Sequence, residues 1–340
     1  MNTKDIVLTG DRPTGRLHIG HYTGSIVNRL KMQHEYQTTY VMIADYQAYT
    51  DHSSNRELVK ESIIQLMIDY LACGLDPELN TIFIQSLVPE LCEFTMIYAN
   101  CVTLARLRRN PTVKNEMQQK GYGDAVPVGF LTYPISQAAD ITAFKANLVP
   151  AGEDQLAMLE QCNEIVRHIR HNYNSDVLQE CKPILSRVTR LPGTDGQAKM
   201  GKSLGNCIYL SDSADLVREK VMGMFTDPNH LRVEDPGKVE GNPVFTYLDA
   251  FEPDREQLAE WKAWYQRGGL GDVKVKRRLV EVLNGILEPI RQKRAELEKS
   301  EDELWEILFT HSARARAVAQ ETLRELKSDL GLIYKQNAQK

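Results

Sequence analysis

Residues 6–21, IVLTGDRPTGRLHIGH, carry the clearest signal of the fold. Its first part is a β-branched run that ends at Gly10, and its last part predicts a helix that begins near Leu17. Pro13 and Gly15 lie between them, in a turn at the carboxyl end of the predicted strand. A helix N-terminus carries unpaired N–H groups and the positive end of the helix dipole, which favour anions. The stretch therefore predicts a strand–turn–helix unit that holds a phosphate group.

Three further runs have the composition of buried strands, at residues 40–44, 81–84 and, more weakly, 148–149. An amphipathic helix pattern over residues 55–73 separates the first two, and Gly74 follows it where a helix-ending glycine belongs. Alternating strands and helices favour a parallel sheet covered on both faces. We therefore predict an α/β fold with a Rossmann-like doubly wound parallel sheet, which binds ligands at the carboxyl ends of its strands.

Two other regions have a helical pattern. Residues 88–147 break the alternation and predict a helical insertion in the nucleotide-binding fold. Beyond residue 211 strand signals nearly vanish, and helical spacing predicts a bundle. We predict a catalytic nucleotide-binding domain over residues 1–210 and an all-helical domain over residues 211–340, whose last helix packs back on the first domain.

A second candidate phosphate motif, Lys-Met-Gly-Lys-Ser, occupies residues 199–203. Glycines before, within and after it predict a flexible loop over residues 193–206. In this interpretation Lys199 and Lys202 approach a bound nucleotide when the loop closes. The plainer interpretation is a solvated charged loop.

The same loop also matches a competing pattern. Residues 196–203, GQAKMGKS, have the spacing of a P-loop. A P-loop follows a buried strand and opens a helix, whereas the residues before this segment are not apolar and those after it start a helix poorly. The P-loop interpretation is therefore disfavoured.

The first motif carries two imidazoles on one helical face, because His18 and His21 are three residues apart. Both can donate hydrogen bonds to phosphate oxygens. Gly20 lies between them and has no side chain, so an adenine ring can approach the helix backbone there. Two isolated histidines would more simply be surface or capping residues, but their position directly after a strand and turn favours a phosphate site.

Composition excludes several classes of function. The chain has 340 residues, a net charge of −5 and six scattered cysteines without a zinc-binding spacing. No apolar run is long enough to span a membrane, and the N-terminus does not resemble a signal peptide. We expect a cytoplasmic protein that binds neither membrane nor DNA. Any RNA contact must come from local basic patches rather than from overall charge.

Two basic runs are candidates for such patches. One comprises Lys274, Lys276, Arg277 and Arg278, and the other Arg106, Arg108 and Arg109. Either run can also be a solvated helix face. Apolar residues in the predicted insertion can form a subunit interface or simply core: Leu91, Phe94, Met96, Ile97 and Leu104.

Together, His18-Ile19-Gly20-His21 and the 199–203 motif resemble the signature pair of the class I aminoacyl-tRNA synthetases. Nearly the whole chain resembles the bacterial tryptophanyl-tRNA synthetases of that class. The supporting segments are TGDRPTG at residues 9–15, YPISQAADI at 133–141 and VPAGEDQ at 149–155. The chain departs from the family pattern at three positions, with Gly201 in place of the commonest serine, Arg12 in place of glutamine and Gln47 where some members carry histidine.

The resemblance implies a tryptophan–tRNA ligase that activates L-tryptophan with ATP and transfers it to tRNA(Trp). It implies Mg²⁺ carried by the ATP phosphates, with no metal ligand from a protein side chain. It also implies a homodimer, and a helical region that reads the anticodon.

The resemblance also assigns residues to roles. Charge stabilisation in catalysis falls to His18, His21, Lys199 and Lys202. ATP binding falls to Arg12, Gly20, His21, Gly152, Asp154, Lys199, Met200, Gly201, Lys202 and Ser203. Tryptophan binding falls to Tyr133, Gln137, Asp140 and Gln155, with Asp140 accepting the indole N–H. A buried carboxylate matched to one donor rejects ligands that leave it unpaired.

Two alternatives stay open at this point. A tyrosyl-tRNA synthetase would use the same mechanism, although that family usually carries an extra C-terminal domain for which this chain has no room. A synthetase-like RNA-binding protein without catalysis is the other. Such proteins usually lose signature residues, and this chain keeps both histidines and both lysines.

Overall fold

The computed structural model describes residues 2–52, 54–123, 125–185, 191–196 and 200–334, without the side chains of 2–4, 51, 52 and 203. Five strands form one parallel sheet in the order β3-β2-β1-β4-β5. Their bounds are Asn2–Asp11 (β1), Tyr36–Ile43 (β2), Thr81–Ile84 (β3), Leu148–Ala151 (β4) and Lys182–Leu185 (β5). The first four agree with the predicted runs. β5 was not predicted, because its sequence KPIL is short, contains proline and is mostly exposed at the sheet edge.

Helices separate and follow these strands. Their bounds are Ile19–His21 (α1), Val27–Glu35 (α2), Asp45–His52 (α3), Arg56–Ala72 (α4), Glu90–Ala99 (α5), Leu104–Arg109 (α6), Pro111–Lys120 (α7), Val128–Thr142 (α8), Leu156–Tyr173 (α9), Ala214–Met222 (α10), Pro243–Phe251 (α11), Arg255–Arg267 (α12), Asp272–Leu297 (α13) and Glu301–Asp329 (α14). A π-helical turn, Tyr22–Ile26, joins α1 to α2 without a break. The predicted helix over 55–73 is α4, and the Asn55 side chain caps it by accepting from the Leu58 N–H.

The sheet has its switch point at β1. β1 pairs with β2 on one side and with β4 on the other, so the chain reverses its direction of progress across the sheet there. In such sheets the crevice beyond the carboxyl ends of the strands is the usual ligand site. Here that crevice lies next to the residues that follow β1, β2 and β4.

The helices after residue 211 contact the first part of the chain at several points. His311 and Ser312 of α14 accept the backbone N–H groups of Ile82 and Ile84, at 3.2 and 3.1 Å. These bonds satisfy donors on edge strand β3 that would otherwise invite another strand. The division of the chain at residue 210 stays a prediction. Within the described part of the chain, no helix is both long enough and apolar enough to cross a membrane.

Candidate active site

A cavity of about 250 Å³ lies at the carboxyl ends of β1, β2 and β4 and beneath α8. Gly10 and Asp11 line it from the end of β1, Arg12 from the turn that follows, and Gln137 and Asp140 from α8. A smaller cavity of about 110 Å³ adjoins it and is lined by Tyr133, among others. Both cavities share three residues: Arg12, Gln47 and Gln155. The structure thus brings together every predicted tryptophan-binding residue in two adjoining cavities.

Asp140 is the central acidic group of the larger cavity, with only 1% of its surface exposed. Both of its carboxylate oxygens accept from Gln85 Nε2, at 2.8 and 2.9 Å, and Oδ2 also accepts from Gln47 Nε2 at 2.8 Å. Burial raises the pKa of Asp140 to about 7, against the opposing effect of these two amide donors, and the charge of Asp45 adds to the increase. Asp140 therefore changes charge near neutral pH.

Sequence reasoning missed Gln85 and left the role of Gln47 open. Gln85 is the first residue after β3 and is 1% exposed. Its position at the carboxyl end of a strand is a signal that predicts a site residue. The structure answers the second question, because Gln47 takes part in holding the Asp140 carboxylate.

A second carboxylate, Asp11, lies at the end of β1 in the same cavity, with 16% of its side chain exposed. Its Oδ2 accepts from Arg29 Nη1 at 2.6 Å and from the Tyr70 hydroxyl at 2.7 Å. Although burial opposes it, the charge of Arg29, with smaller help from His21 and the two hydrogen bonds, lowers the pKa of Asp11 to about 2. Asp11 thus stays ionised across the physiological range.

Tyr133 of α8 and Gln155, which follows β4, line the smaller cavity and donate to neighbouring carboxylates. The Tyr133 hydroxyl donates to Glu116 Oε2 at 3.1 Å, and Gln155 Nε2 donates to Asp154 Oδ2 at 3.3 Å. Gly152 and Asp154, predicted to line the ATP site, are exposed and do not line either cavity. They lie beside Gln155 in the turn that follows β4.

The two histidines of the first motif cap the start of α1. His18 Nδ1 accepts from the Gly20 N–H, and His21 Nδ1 accepts from the His18 N–H, both at 3.2 Å. An imidazole that accepts at Nδ1 carries its proton on Nε2 when neutral. Burial lowers the pKa of His21 to about 4 despite the nearby charge of Asp11, so this ring is neutral at pH 7. His21 is therefore suited to donate Nε2–H to a phosphate oxygen rather than to act as a cation.

The second motif lies directly on the first. Lys202 Nζ donates to the carbonyl of Gly15 at 2.8 Å and, less closely, to that of Thr14 at 3.4 Å. A Cβ added at Gly20 would lie 3.4 Å from Met200 Sδ, so this thioether packs against the turn of the histidines. Burial lowers the pKa of Lys202, partly offset by the charges of Asp11 and Asp69. The structure therefore places Lys202 and Met200 beside the turn that carries the histidines.

The loop is held from its far end by a residue that sequence reasoning did not single out. Asn206 Oδ1 accepts from the Gly201 N–H at 2.9 Å, and Asn206 Nδ2 donates to Asp195. Lys199 lies outside the described residues, as does the side chain of Ser203. The segment Lys202–Leu204 is a single 3₁₀ turn that ends at Gly205, which has a φ of 66°. A P-loop would open a helix there, so the geometry agrees with its rejection.

Known proteins with similar sequences identify the family. The sequence model of the class I tRNA synthetases (W and Y) matches residues 1–288. The chain belongs to this family. It is 56% identical to the Clostridium longisporum tryptophan–tRNA ligase and 57% identical to that of Streptococcus pneumoniae serotype 4, covering 98% of this chain and 99% of each relative.

Solved structures agree with this assignment. A tryptophanyl-tRNA synthetase from Campylobacter jejuni, complexed with ADP and tryptophan, superposes with a TM-score of 0.83 and is 30% identical, over 96% of this chain and 99% of that one. The Mycoplasma pneumoniae tryptophanyl-tRNA synthetase superposes with a TM-score of 0.79 over 98% of this chain and 99% of its own, and at 24% identity it supports the fold only. The predicted family, α/β fold and enzyme class, an aminoacyl-tRNA synthetase, are confirmed.

Proposed function

We propose that this chain is a tryptophan–tRNA ligase, which activates L-tryptophan with ATP and esterifies tRNA(Trp) with the product. The relatives that are 56–57% identical along the chain carry that name and confirm the predicted function, while the tyrosyl alternative is not favoured. The observation that carries our assignment of the chemistry is the hydrogen bond from Lys202 to Gly15, at 2.8 Å. It joins the two phosphate motifs beside the cavity that holds Asp140.

The first step is an in-line displacement. The tryptophan carboxylate attacks the α-phosphorus of ATP, a bond to the α-phosphoryl group forms, and pyrophosphate leaves with the bonding electrons. No protein nucleophile is needed, so the chain contributes positioning and charge stabilisation. His18 and His21 donate through Nε2–H, and Lys202 offers an ammonium to the growing negative charge. Lys199 is assigned the same role from its place in the sequence motif.

Tryptophan is selected in the larger cavity. We assign Asp140 as the acceptor of the indole N–H, Tyr133 and Gln155 as contacts of the α-amino group, and Gln137 as a lining residue. Asp140 supports this because the hydrogen-bond donors that hold it, within the residues that the structure describes, are the side-chain amides of Gln47 and Gln85. A carboxylate in that state gains most from one additional N–H donor.

ATP and its Mg²⁺ belong to the cleft between the motifs. Mg²⁺ prefers oxygen ligands, whereas the described phosphate-facing groups His18, His21 and Lys202 are hydrogen-bond donors. Among the described residues no group of three or more His, Cys, Asp or Glu side chains is placed to hold a metal. We therefore propose that the ion is carried by the ATP phosphates. Arg12, Gly20, Met200, Gly201 and Ser203 complete the proposed ATP contacts, with Gly152 and Asp154 near the ribose.

The assembly and the tRNA contacts are also proposals. Met96, Leu104 and Val128 expose 70%, 53% and 75% of their surfaces and support a homodimer interface on the predicted insertion, whereas Leu91 and Phe94 are core residues. The bundle after residue 211 is proposed to bind the anticodon. Because tRNA charging accompanies translation, we place the enzyme in the cytoplasm.

The basic runs contribute less to RNA binding than the sequence suggests. Lys276 is buried and donates to the carbonyls of Met222 and Met224, at 2.9 and 2.7 Å. Arg278 donates to both oxygens of Glu252, and Arg106 to both oxygens of Glu164. These residues support the fold. The exposed members, Arg108, Arg109, Lys274 and Arg277, are the better candidates for phosphate contacts.

The proposal is tested by amino-acid-dependent exchange of pyrophosphate into ATP, with each of the twenty amino acids in turn. We expect exchange with tryptophan and none above background with tyrosine. Exchange with tyrosine at a similar rate would contradict the assignment.

The role of Lys202 is tested in the same assay. Lys202→Ala should lower kcat on the order of 10²–10³-fold with little change in tryptophan affinity, because the ammonium acts on the leaving pyrophosphate. Lys31→Ala, on the exposed face of α2, is the matched control and should retain the parental rate. Parental activity in Lys202→Ala would remove this residue from the mechanism.

A further inference from the structure

Gln85 is a buried glutamine whose side-chain amide contacts two different helices. The Nε2 group donates to Asp140, and the Oε1 atom accepts from the backbone N–H of Gln47 at 3.4 Å. The second contact sets which end of the amide faces Asp140, because an amide turned the other way would place a donor against the Gln47 N–H. The side chain of Gln85 is therefore oriented by α3 and directed at α8.

The two amide donors leave room for one more. An ionised carboxylate accepts about four hydrogen bonds, and Gln85 and Gln47 supply three of the contacts at Asp140. The unused acceptor capacity belongs to a carboxylate that lines the larger cavity. Since the Gln85 amide donates to both oxygens, it restricts rotation of the carboxylate. It thereby fixes the direction of the lone pairs that remain for a further donor.

Gln85 has little part in holding α8 in place. α8 is tied to α5 on another side by the contact between the Tyr98 hydroxyl and Thr142 Oγ1, at 2.7 Å. It also packs along α9 through apolar residues that include Ile135 and Cys162. Loss of the Gln85 amide should therefore disturb the carboxylate more than the helix that carries it.

We propose that Gln85 is a specificity-determining positioning residue, which orients the Asp140 carboxylate so that the cavity selects an aromatic amino acid with a ring N–H. This inference rests on the proposed function, in which Asp140 accepts the indole N–H. Gln85 itself does not contact the substrate; it acts through Asp140. Gln47 supports the same carboxylate from the rim shared with the smaller cavity.

The test compares two substrates in the full-length enzyme. Tryptophan is compared with 3-(benzothiophen-3-yl)alanine, in which sulfur replaces the indole N–H, by kcat and KM in pyrophosphate exchange. The parental enzyme should strongly prefer tryptophan. Gln85→Met, which keeps the volume and removes both donors, should raise the KM for tryptophan about tenfold with kcat nearly unchanged, and should reduce the preference by about the same factor.

A matched control separates this role from general damage to the core. Gln161 is also fully buried, on α9, and lies outside both cavities. Gln161→Met should keep the parental preference between the two substrates. If Gln85→Met does not fold, Gln85→Asn keeps an amide but is too short to reach both oxygens, and it carries the same expectation.

The outcomes distinguish a failure of the role proposed for Asp140 from a failure of the role proposed for Gln85. A parental enzyme that uses both substrates equally well would contradict the role of Asp140 in the proposed function. A parental enzyme that prefers tryptophan, together with a Gln85 variant of unchanged preference, would overturn the inference for Gln85 and leave Asp140 in place.

Discussion

Asp11 and Asp140 line the same cavity, and their surroundings are opposite. Asp11 has a buried cation and a phenol as partners, and its pKa is about 2. Among the described residues, the hydrogen-bond partners of Asp140 are two neutral amides, a like charge lies at Asp45, and the pKa of Asp140 is about 7. Burial raises the pKa in both cases, so the charge of Arg29 is what separates them.

The difference indicates a division of work. The charge of Asp11 is balanced, because its carboxylate forms an ion pair with Arg29. Arg29 also donates to Thr9 Oγ1 and to the carbonyl of Gly10, at the end of β1. The Asp140 carboxylate is held by hydrogen bonds from neutral amides, which do not balance its charge. We expect the Arg29–Asp11 pair to stabilise the fold. We expect the Asp140 carboxylate to gain binding free energy from a ligand that donates a hydrogen bond.

Removing Arg29 from its pair with Asp11 should have a larger effect on stability than any other proposed change. Arg29→Met should lower the free energy of unfolding by about 3–5 kcal/mol, because it leaves the largely shielded Asp11 carboxylate without its buried cation. Urea unfolding at pH 7.5 measures this loss. The matched control is the double variant Arg29→Met/Asp11→Leu, which removes both charges and should recover much of the stability. A double variant as unstable as the single one would show that packing, not the unpaired charge, causes the loss.

A second prediction concerns the Asp140 carboxylate. In Asp140→Asn the side chain has one acceptor oxygen, which Gln85 and Gln47 would occupy. Its amide NH2 group would then face the indole N–H, donor against donor. Asp140→Asn should therefore raise the KM for tryptophan by about 10–100-fold, with a smaller effect on stability than Arg29→Met. Pyrophosphate exchange over a range of tryptophan concentrations measures it. An unchanged KM would contradict the assigned role of Asp140.

The third prediction separates the two carboxylates by pH. The acceptor form of Asp140 is the ionised one, so its population falls as the pH drops through about 7. The KM for tryptophan should be constant above pH 8 and about tenfold higher at pH 6. Asp11, with a pKa of about 2, and His21, with a pKa of about 4, do not titrate in this range. A flat profile in the parental enzyme would contradict the prediction, whereas Asp140→Asn should be flat.

The helix start that carries the histidines could be predicted from the sequence, and the family resemblance pointed to Asp140, but the partners of the two carboxylates could not be predicted. His18, Gly20 and His21 are neighbours in the chain, so their spacing alone predicts a shared helix end. Gln47, Gln85 and Asp140 come from three distant segments that meet only when β2 and β3 place their carboxyl ends beside α8. A single glutamine after a strand does not reveal its partner.

Charge in the sequence was equally ambiguous. The run at residues 274–278 reads as one basic patch, but folding turns Lys276 inward and pairs Arg278 with Glu252. Helical geometry distributes neighbouring residues over different faces, so consecutive charges need not share one environment. The same limit explains why Arg29, in the middle of an ordinary helix pattern, was not recognised as the partner of Asp11.

The last and smallest change removes the single hydroxyl group of Tyr70. Tyr70 donates to the ionised Asp11, whereas the equally buried Tyr98 contacts the neutral Thr142, both at 2.7 Å. Hydrogen bonds to charged groups contribute more than those between neutral groups, so Tyr70→Phe should cost about 1 kcal/mol more in unfolding free energy than Tyr98→Phe at pH 7. Because Asp11 has a lowered pKa, its contribution is complete above pH 3.8 and disappears as the pH falls toward 2. The excess should therefore shrink in urea unfolding near pH 2, and an excess that is equal at both pH values would show that the Asp11 charge is not its source.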